Sequence, residues 1–136
     1  MKKKSIIIFS IIAILCLSLI LELRQQFAGK RLNYTKMDTV CFEKDILPVL
    51  IKNCGVAGCH DQQTRSGGYK FADYTSIIKG IKPFKPEESI LLKSIIGKGA
   101  SPMPPGQPLP INEKRKITIW IGQGAEYTRC PSPPKK

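Results

Sequence analysis

Two cysteines and a histidine lie close together near the middle of the chain and could bind a metal or a cofactor. Cys54 and Cys59 are separated by four residues, and His60, the only histidine among 136 residues, directly follows the second thiol. In c-type haem attachment, two thiols add to the porphyrin vinyl groups and the adjacent imidazole binds the iron. The usual motif has two residues between the cysteines, so this longer spacing also leaves a disulfide or a zinc site open.

The single histidine narrows the choice among metal centres. A Cys2His2 zinc site and a haem with two histidine ligands both need a second imidazole, which this sequence lacks. A Cys3His zinc site would need a third thiol from a distant part of the chain. If iron binds His60, its sixth ligand is therefore a methionine, a lysine, water or nothing.

A proline-rich loop over residues 97–110 presents a candidate for that sixth ligand. Five of its last nine positions are proline, and Met103 is the only methionine beyond residue 40. Because proline restricts the backbone, this loop is stiff and holds whatever it presents in a fixed place. A thioether flanked by prolines is well suited to bind a metal, although a buried apolar contact is the simpler alternative.

The N-terminal segment predicts export. Residues 5–21 carry no charge, and as a helix they would span about 26 Å, slightly less than the ~30 Å hydrocarbon core of a bilayer. Residues 1–4 carry three lysines and are predicted to stay in the cytoplasm. A cleavable signal needs small residues one and three positions before the cut, and a cut after Ala28 would place the large Gln26 at the outer position. We therefore favour a single-pass anchor in the bacterial inner membrane. Either way the remainder reaches the periplasm, where disulfides form and c-type haem is attached.

The chain is strongly basic, with a formal net charge of +12. Nucleic acid is excluded as the reason, because no series of aromatic residues accompanies the basic ones and the compartment is wrong. An anionic membrane surface or an acidic redox partner protein explains the charge better.

Composition and hydrophobic periodicity divide the exported part into a tether, a domain and a tail. Residues 22–40 are polar and aperiodic and are predicted to be a tether, residues 41–130 a single all-α domain, and residues 131–136 a disordered tail. In the first domain helix, Asp45 is the predicted cap and Pro48 falls in the first turn. Helices are predicted over residues 42–53, 74–79, 87–96 and 111–121, with a surface loop over residues 61–73.

Several stretches within residues 41–127 together resemble the exported class I-like cytochrome c domains of the planctomycete and Bacteroidetes type. The stretches are FEKDILPVL, a cysteine followed by CHD, SIIKGI, ESILLKSI, MPP and WIGQGA. The four-residue cysteine spacing is similar to a variant within this family. The resemblance implies a small class I cytochrome c-like helical fold around one covalent haem c, with crossed first and last helices.

The resemblance also implies roles for individual residues. Cys54 and Cys59 match the thioether cysteines, His60 the proximal iron ligand and Met103 the distal ligand. If the first and last helices cross as in that fold, the thiols before the first helix and beyond the last emerge at one edge. A disulfide between these thiols, Cys41 and Cys130, is then geometrically reasonable, and two unpaired thiols are the alternative.

These observations predict a membrane-tethered monohaem c-type cytochrome that carries single electrons and is not an enzyme. One alternative is a five-coordinate haem peroxidase or sensor, if Met103 does not bind iron. The other is a haem-free exported binding module cross-linked by disulfides, with Cys54 and Cys59 forming one of them.

Overall fold

In the computed structural model, residues 2–27, 32–128 and 130 are described, with side chains of the first helix described over residues 8–24. Every regular element among these residues is helical, which confirms the all-α prediction. The chain divides into two compact units, Met1–Leu32 and Asn33–Lys136. The α-helices of the described residues are α1 (Lys2–Phe27), α2 (Leu47–Asn53), α3 (Tyr74–Ile77), α4 (Ile90–Ile96) and α5 (Ile111–Gly122).

The first unit is built on α1. This helix covers the predicted apolar segment 5–21 and continues to Phe27, into the region expected to be a tether. Among the described residues, none of the helices combines the length and the hydropathy that crossing a membrane requires. The anchor therefore stays a prediction. The predicted tail, residues 131–136, lies outside the described residues, as do residues 28–31 of the tether.

The structure corrects the predicted start of the domain, because residues 33–40 pack on the end of α5 instead of forming a tether. The side-chain amide of Gln123 donates to the backbone oxygens of Tyr34, at 3.2 Å, and Asp38, at 3.0 Å. Its side-chain oxygen accepts from the Val40 N–H at 3.0 Å. The domain therefore begins near residue 33 and not at residue 41.

The first predicted domain helix is divided into a π-helical turn, Phe42–Ile46, and α2. Pro48 lies in the first turn of α2, as predicted, where its missing N–H breaks no hydrogen bond of that helix. Asp45 lies inside the π-helical turn. Its carboxylate accepts from the Cys41 N–H at 3.1 Å, and its own N–H donates to the Cys41 oxygen at 2.8 Å. The prediction of Asp45 as the cap is therefore wrong: Cys41 and Ile46 occupy the N-cap positions of the two elements, and neither makes a side-chain capping bond.

The core of the second unit forms around α5. This helix contacts α4, the π-helical turn and the two 3₁₀ turns Tyr34–Lys36 and Pro86–Glu88. The first and last helical segments of the domain are thereby brought together. Buried residues from these elements form one apolar cluster, which includes Phe42, Ile46, Leu50, Leu91, Leu92, Ile95, Ile117, Trp120 and Ile121.

The remaining helix boundaries differ from the predictions by a few residues. Asp73 caps α3 by accepting from the Ser76 N–H at 2.9 Å. α4 begins at Ile90 and not at residue 87, because Ser89 is fully buried and its hydroxyl accepts from the Lys82 N–H at 2.9 Å. Gly97 ends α4 in the left-handed conformation, with φ +67°, as its position predicts.

Candidate haem site

A cavity of about 490 Å³ in the second unit is lined by all four residues that the sequence singles out: Cys54, Cys59, His60 and Met103. Much of the remaining wall is apolar and includes Phe71, Leu91 and Ile95. Cofactor pockets are typically on the order of 300–1,000 Å³, with apolar walls and a few polar groups that fix orientation. The fold therefore brings the proline-rich loop and the cysteine–histidine segment to one cavity of suitable size.

The cysteine–histidine segment leaves the end of α2 and folds back on itself. The Cys54 N–H donates to the Leu50 oxygen at 2.8 Å, so the first thiol continues directly from the helix. The His60 N–H donates to the Cys54 oxygen at 3.1 Å and closes the loop between them. Gly55 permits this path, because a Cβ there would lie 2.6 Å from the Phe71 oxygen. The longer cysteine spacing is thus accommodated by a compact loop.

The imidazole of His60 is oriented by its surroundings. Its Nδ1 lies 3.3 Å from the backbone oxygen of Tyr69. Because a carbonyl oxygen only accepts, this hydrogen bond places the proton on Nδ1 and leaves the lone pair of Nε2 for a metal. The ring of Phe71 packs edge-on against the imidazole, with centroids 5.0 Å apart and an interplanar angle of 86°. The tautomer and the fixed orientation of the His60 ring are therefore those that metal binding through Nε2 needs.

Met103 is held by α4. Its N–H donates to the Ser94 oxygen at 3.0 Å, a carbonyl in the last turn of the helix that also accepts from the Gly97 N–H at 3.2 Å. The chain reaches Met103 after the left-handed Gly97, where a Cβ would lie 3.6 Å from Pro102. The loop that carries the thioether is therefore attached to the helix that also contributes Leu91 and Ile95 to the cavity wall.

The two thiols of the cavity differ in their surroundings. Burial raises the pKa of Cys54 to about 11, and the nearby Cys59 and Glu113 act in the same direction. Cys54 is therefore protonated at neutral pH and behaves as an apolar side chain. Cys59 is only partly buried. Within the described part of the chain both are free thiols.

The loop after His60, predicted to be a surface loop, contributes to the cavity. Phe71 is buried, at 7% exposure, and Tyr69 is partly buried beside it. Asp61 accepts hydrogen bonds from backbone N–H groups on both sides of the Cys59–His60 pair. These hydrogen bonds lower the pKa of the Asp61 carboxyl, and the bond from the Thr64 N–H has the largest effect. The sequence offers no signal for Tyr69, which acts through its backbone, and it shows Asp61 only as the last residue of the CHD stretch, without a role.

Four potential donor side chains line the cavity: two thiols, one imidazole and one thioether. No group of three or more His, Cys, Asp or Glu residues in the described ranges is arranged to hold a metal ion. Cys41 and Cys130 form a disulfide, with Cα atoms 5.7 Å apart, so neither thiol is available for a Cys3His site. This donor set, around a largely apolar cavity, is the one that the resemblance implies for a covalent haem, and the haem itself stays a prediction.

Comparisons of the chain with protein-family models, with curated proteins and with solved structures give no match.

Proposed function

We propose that this chain is a monohaem c-type cytochrome, held at the outer face of the bacterial inner membrane by its N-terminal segment, which carries single electrons. The proposal rests on one observation above all. Cys54, Cys59, His60 and Met103 line a single cavity, although Met103 lies far from the others in sequence. The class I cytochrome c-like arrangement implied by the resemblance belongs to this proposal.

Each of the four residues has a defined task. Cys54 and Cys59 would form the thioether bonds, His60 would bind the iron through Nε2, and Met103 would supply a second protein ligand to it. A bound haem would supply one-electron chemistry at its iron, so electron transfer would require no covalent bond to be made or broken by the protein. The apolar walls limit the access of water, and a thioether ligand together with low polarity favours the reduced state.

The tautomer of His60 is the protein's main contribution to the ligand set. The hydrogen bond from Nδ1 to the Tyr69 oxygen selects the tautomer of the neutral imidazole in which Nε2 carries the lone pair, and it limits rotation of the ring. The edge-on contact with Phe71 limits the same rotation from another side. The imidazole is thus prepared for iron before any cofactor is present.

The proposed partner is an acidic redox protein. Residues 22–136, the proposed exported part, carry 19 lysines and arginines against 10 aspartates and glutamates, a net charge of +9 that would steer such a partner toward the domain and make the association fast at low salt. Such a charge suits electron transfer between two proteins, because that transfer needs brief encounters and not tight binding.

Covalent haem is the property that tests the proposal. The full chain, expressed in a host with working c-haem maturation, should show a haem-peroxidase band near 15.1 kDa after denaturing electrophoresis. Cys59→Ala should abolish or greatly weaken the band. Cys16→Ala is the matched control, because Cys16 belongs to α1 and does not line the cavity, so its loss should leave the stain unchanged. An unstained wild-type band would contradict the proposal and favour the haem-free binding module.

A further inference from the structure

We propose that Asp61 is a positioning residue that compensates for the longer cysteine spacing and holds Cys59 and His60 in place for the haem. This inference rests on the proposed function. Asp61 itself does not line the cavity; it acts through the backbone on either side of the two residues that do.

Asp61 connects the residue before Cys59 with the turn after His60. Its Oδ2 accepts from the Gly58 N–H at 2.7 Å. Its Oδ1 accepts from the N–H groups of Gln63 and Thr64, each at 2.7 Å. The Thr64 hydroxyl adds a further hydrogen bond to Oδ2 at 3.0 Å. One carboxylate therefore holds both ends of the segment that carries the second thiol and the imidazole.

Packing does not hold the start of this segment. Gly58 is exposed and adopts a left-handed φ of +81°. A Cβ built at Gly58 would meet no atom of the described residues within 4 Å. Hydrogen bonds therefore decide the path of the backbone here. The bond from Gly58 to Asp61 connects the residue before Cys59 to the far side of His60, and the bond from the Ser66 N–H to the Cys59 oxygen, at 2.9 Å, connects Cys59 itself.

The Asp61 hydrogen bonds explain how the two extra residues between the cysteines are accommodated. A longer loop has more conformations to lose when both thiols are brought to the porphyrin edge. Fixing Gly58 against the turn at Gln63 removes much of that freedom in advance. A charged acceptor makes each of these hydrogen bonds stronger than its neutral counterpart.

The comparison residue is Asp73, which forms a similar cluster of hydrogen bonds away from the cavity. It accepts from the Ser76 N–H at 2.9 Å and from the Thr75 hydroxyl at 2.7 Å, and it pairs with Lys70 at 2.8 Å. Asp73→Ala therefore removes a capping carboxylate of similar kind without touching the cysteine–histidine loop.

The test compares Asp61→Ala, Asp61→Asn and Asp73→Ala with the wild type, as full chains expressed with c-haem maturation. Loss of one charge-assisted hydrogen bond shifts a loop equilibrium on the order of tenfold. Hydrogen exchange at Gly58 should therefore accelerate by about that factor in Asp61→Ala. Asp61→Asn should be intermediate, because its oxygen still accepts from Gln63 and Thr64 while its amide nitrogen cannot accept from Gly58.

Two further measurements separate positioning from simple loss of stability. Haem content per chain should fall in Asp61→Ala and less in Asp61→Asn. The loaded fraction should show shifted or broadened ferric electron paramagnetic resonance, which reports the orientation of the axial imidazole. Asp73→Ala should keep the wild-type spectrum at comparable stability.

The inference is overturned if Asp61→Ala keeps the wild-type haem content and spectrum, or if it changes them only as much as Asp73→Ala does. Either result leaves the proposed function intact. A haem-free wild-type chain would instead remove the proposed function on which the inference depends. If Asp61→Ala does not fold, the contrast between Asp61→Asn and Asp73→Ala decides in the same way.

Discussion

At the scale of single residues, the cavity is lined by the oriented imidazole of His60, the thioether of Met103 and several apolar side chains. His60 is held by the Tyr69 oxygen and the Phe71 ring, whereas Met103 is held through its own backbone by Ser94. The two candidate ligands are thus attached to different parts of the fold. Each can be removed without loss of the hydrogen bonds that support the other.

Met103→Ala tests the ligand carried by the proline-rich loop. The thioether should be lost while the backbone bond to Ser94 remains, so haem stays attached through Cys54 and Cys59. We expect the absorption spectrum to change from low-spin to high-spin and the reduction potential to fall. Met37→Ala is the control, since Met37 lies outside the cavity, and its spectrum should match the wild type. An unchanged spectrum in Met103→Ala would place the sixth ligand elsewhere.

Cys54 should be the less reactive thiol of the haem-free protein. Its pKa is raised to about 11 from the ordinary 9.0, so the reactive thiolate is scarce at neutral pH. Because the folded state favours the protonated thiol, Cys54 adds to the free energy of unfolding. This addition is fully present below about pH 9 and is lost as the pH rises to about 11. Alkylation at about pH 8 followed by peptide mass spectrometry should modify Cys59 before Cys54. Equal rates in folded protein, as expected after denaturation, would contradict this prediction.

At the scale of elements, α5 organises the second unit, because residues 33–40 at the start of the domain and the residues that follow the helix both bond to it. Residues 33–40 approach the helix closely at Gly122, where a Cβ would overlap the ring of Tyr34. Gln123, the next residue, binds the backbone of the same segment. The end of α5 therefore determines where the domain begins.

Gly122→Ala should destabilise the domain by about 1–3 kcal/mol, the usual cost of overpacking a close contact. Tyr34→Ala removes the ring that a new methyl group would meet. In that background the same glycine substitution should therefore cost less, and the coupling should appear in a double-mutant cycle of urea unfolding. Additive effects of the two substitutions would show that the ring and Gly122 do not restrict each other.

Sequence patterns predict elements well where the signal is local. The periodicity of α5 and the glycine after α4 place both helices to within a few residues. The packing of residues 33–40 has no such signal, because Gln123, which binds Val40, is 83 residues away from it in the chain. The predicted start of α4 is too early because the hydroxyl of Ser89 is engaged by the turn at Lys82, a contact without local periodicity.

The site is predictable to the extent that it depends on side-chain type. Cys54, Cys59 and His60 are identifiable from their spacing, and Met103 from the stiffness of its loop, and the structure places all four at one cavity. Tyr69 is not identifiable in this way, because its contribution is a backbone oxygen that any residue type could supply.

At the scale of the whole molecule, one covalent link joins the two ends of the domain. Cys41 precedes the π-helical turn and Cys130 follows α5, and their disulfide spans a sequence separation of 89. Closing so long a loop removes much conformational entropy from the unfolded chain. In the chain-entropy model this is worth about 4–5 kcal/mol, a large share of the stability of a small domain.

The disulfide predicts a definite thiol count and a definite loss of stability. In haem-loaded, denatured and unreduced protein, only Cys16 should react with a thiol reagent, and the Cys16→Ala variant should show no reactive thiol. Replacing both Cys41 and Cys130 by serine should lower the free energy of unfolding by up to about 4–5 kcal/mol, measured by urea denaturation at equal haem content. Because the haem would still be held by its own ligands, the visible spectrum should persist in the folded variant. Three reactive thiols in the wild type, or unchanged stability without the two cysteines, would show that the ends of the domain are not covalently joined.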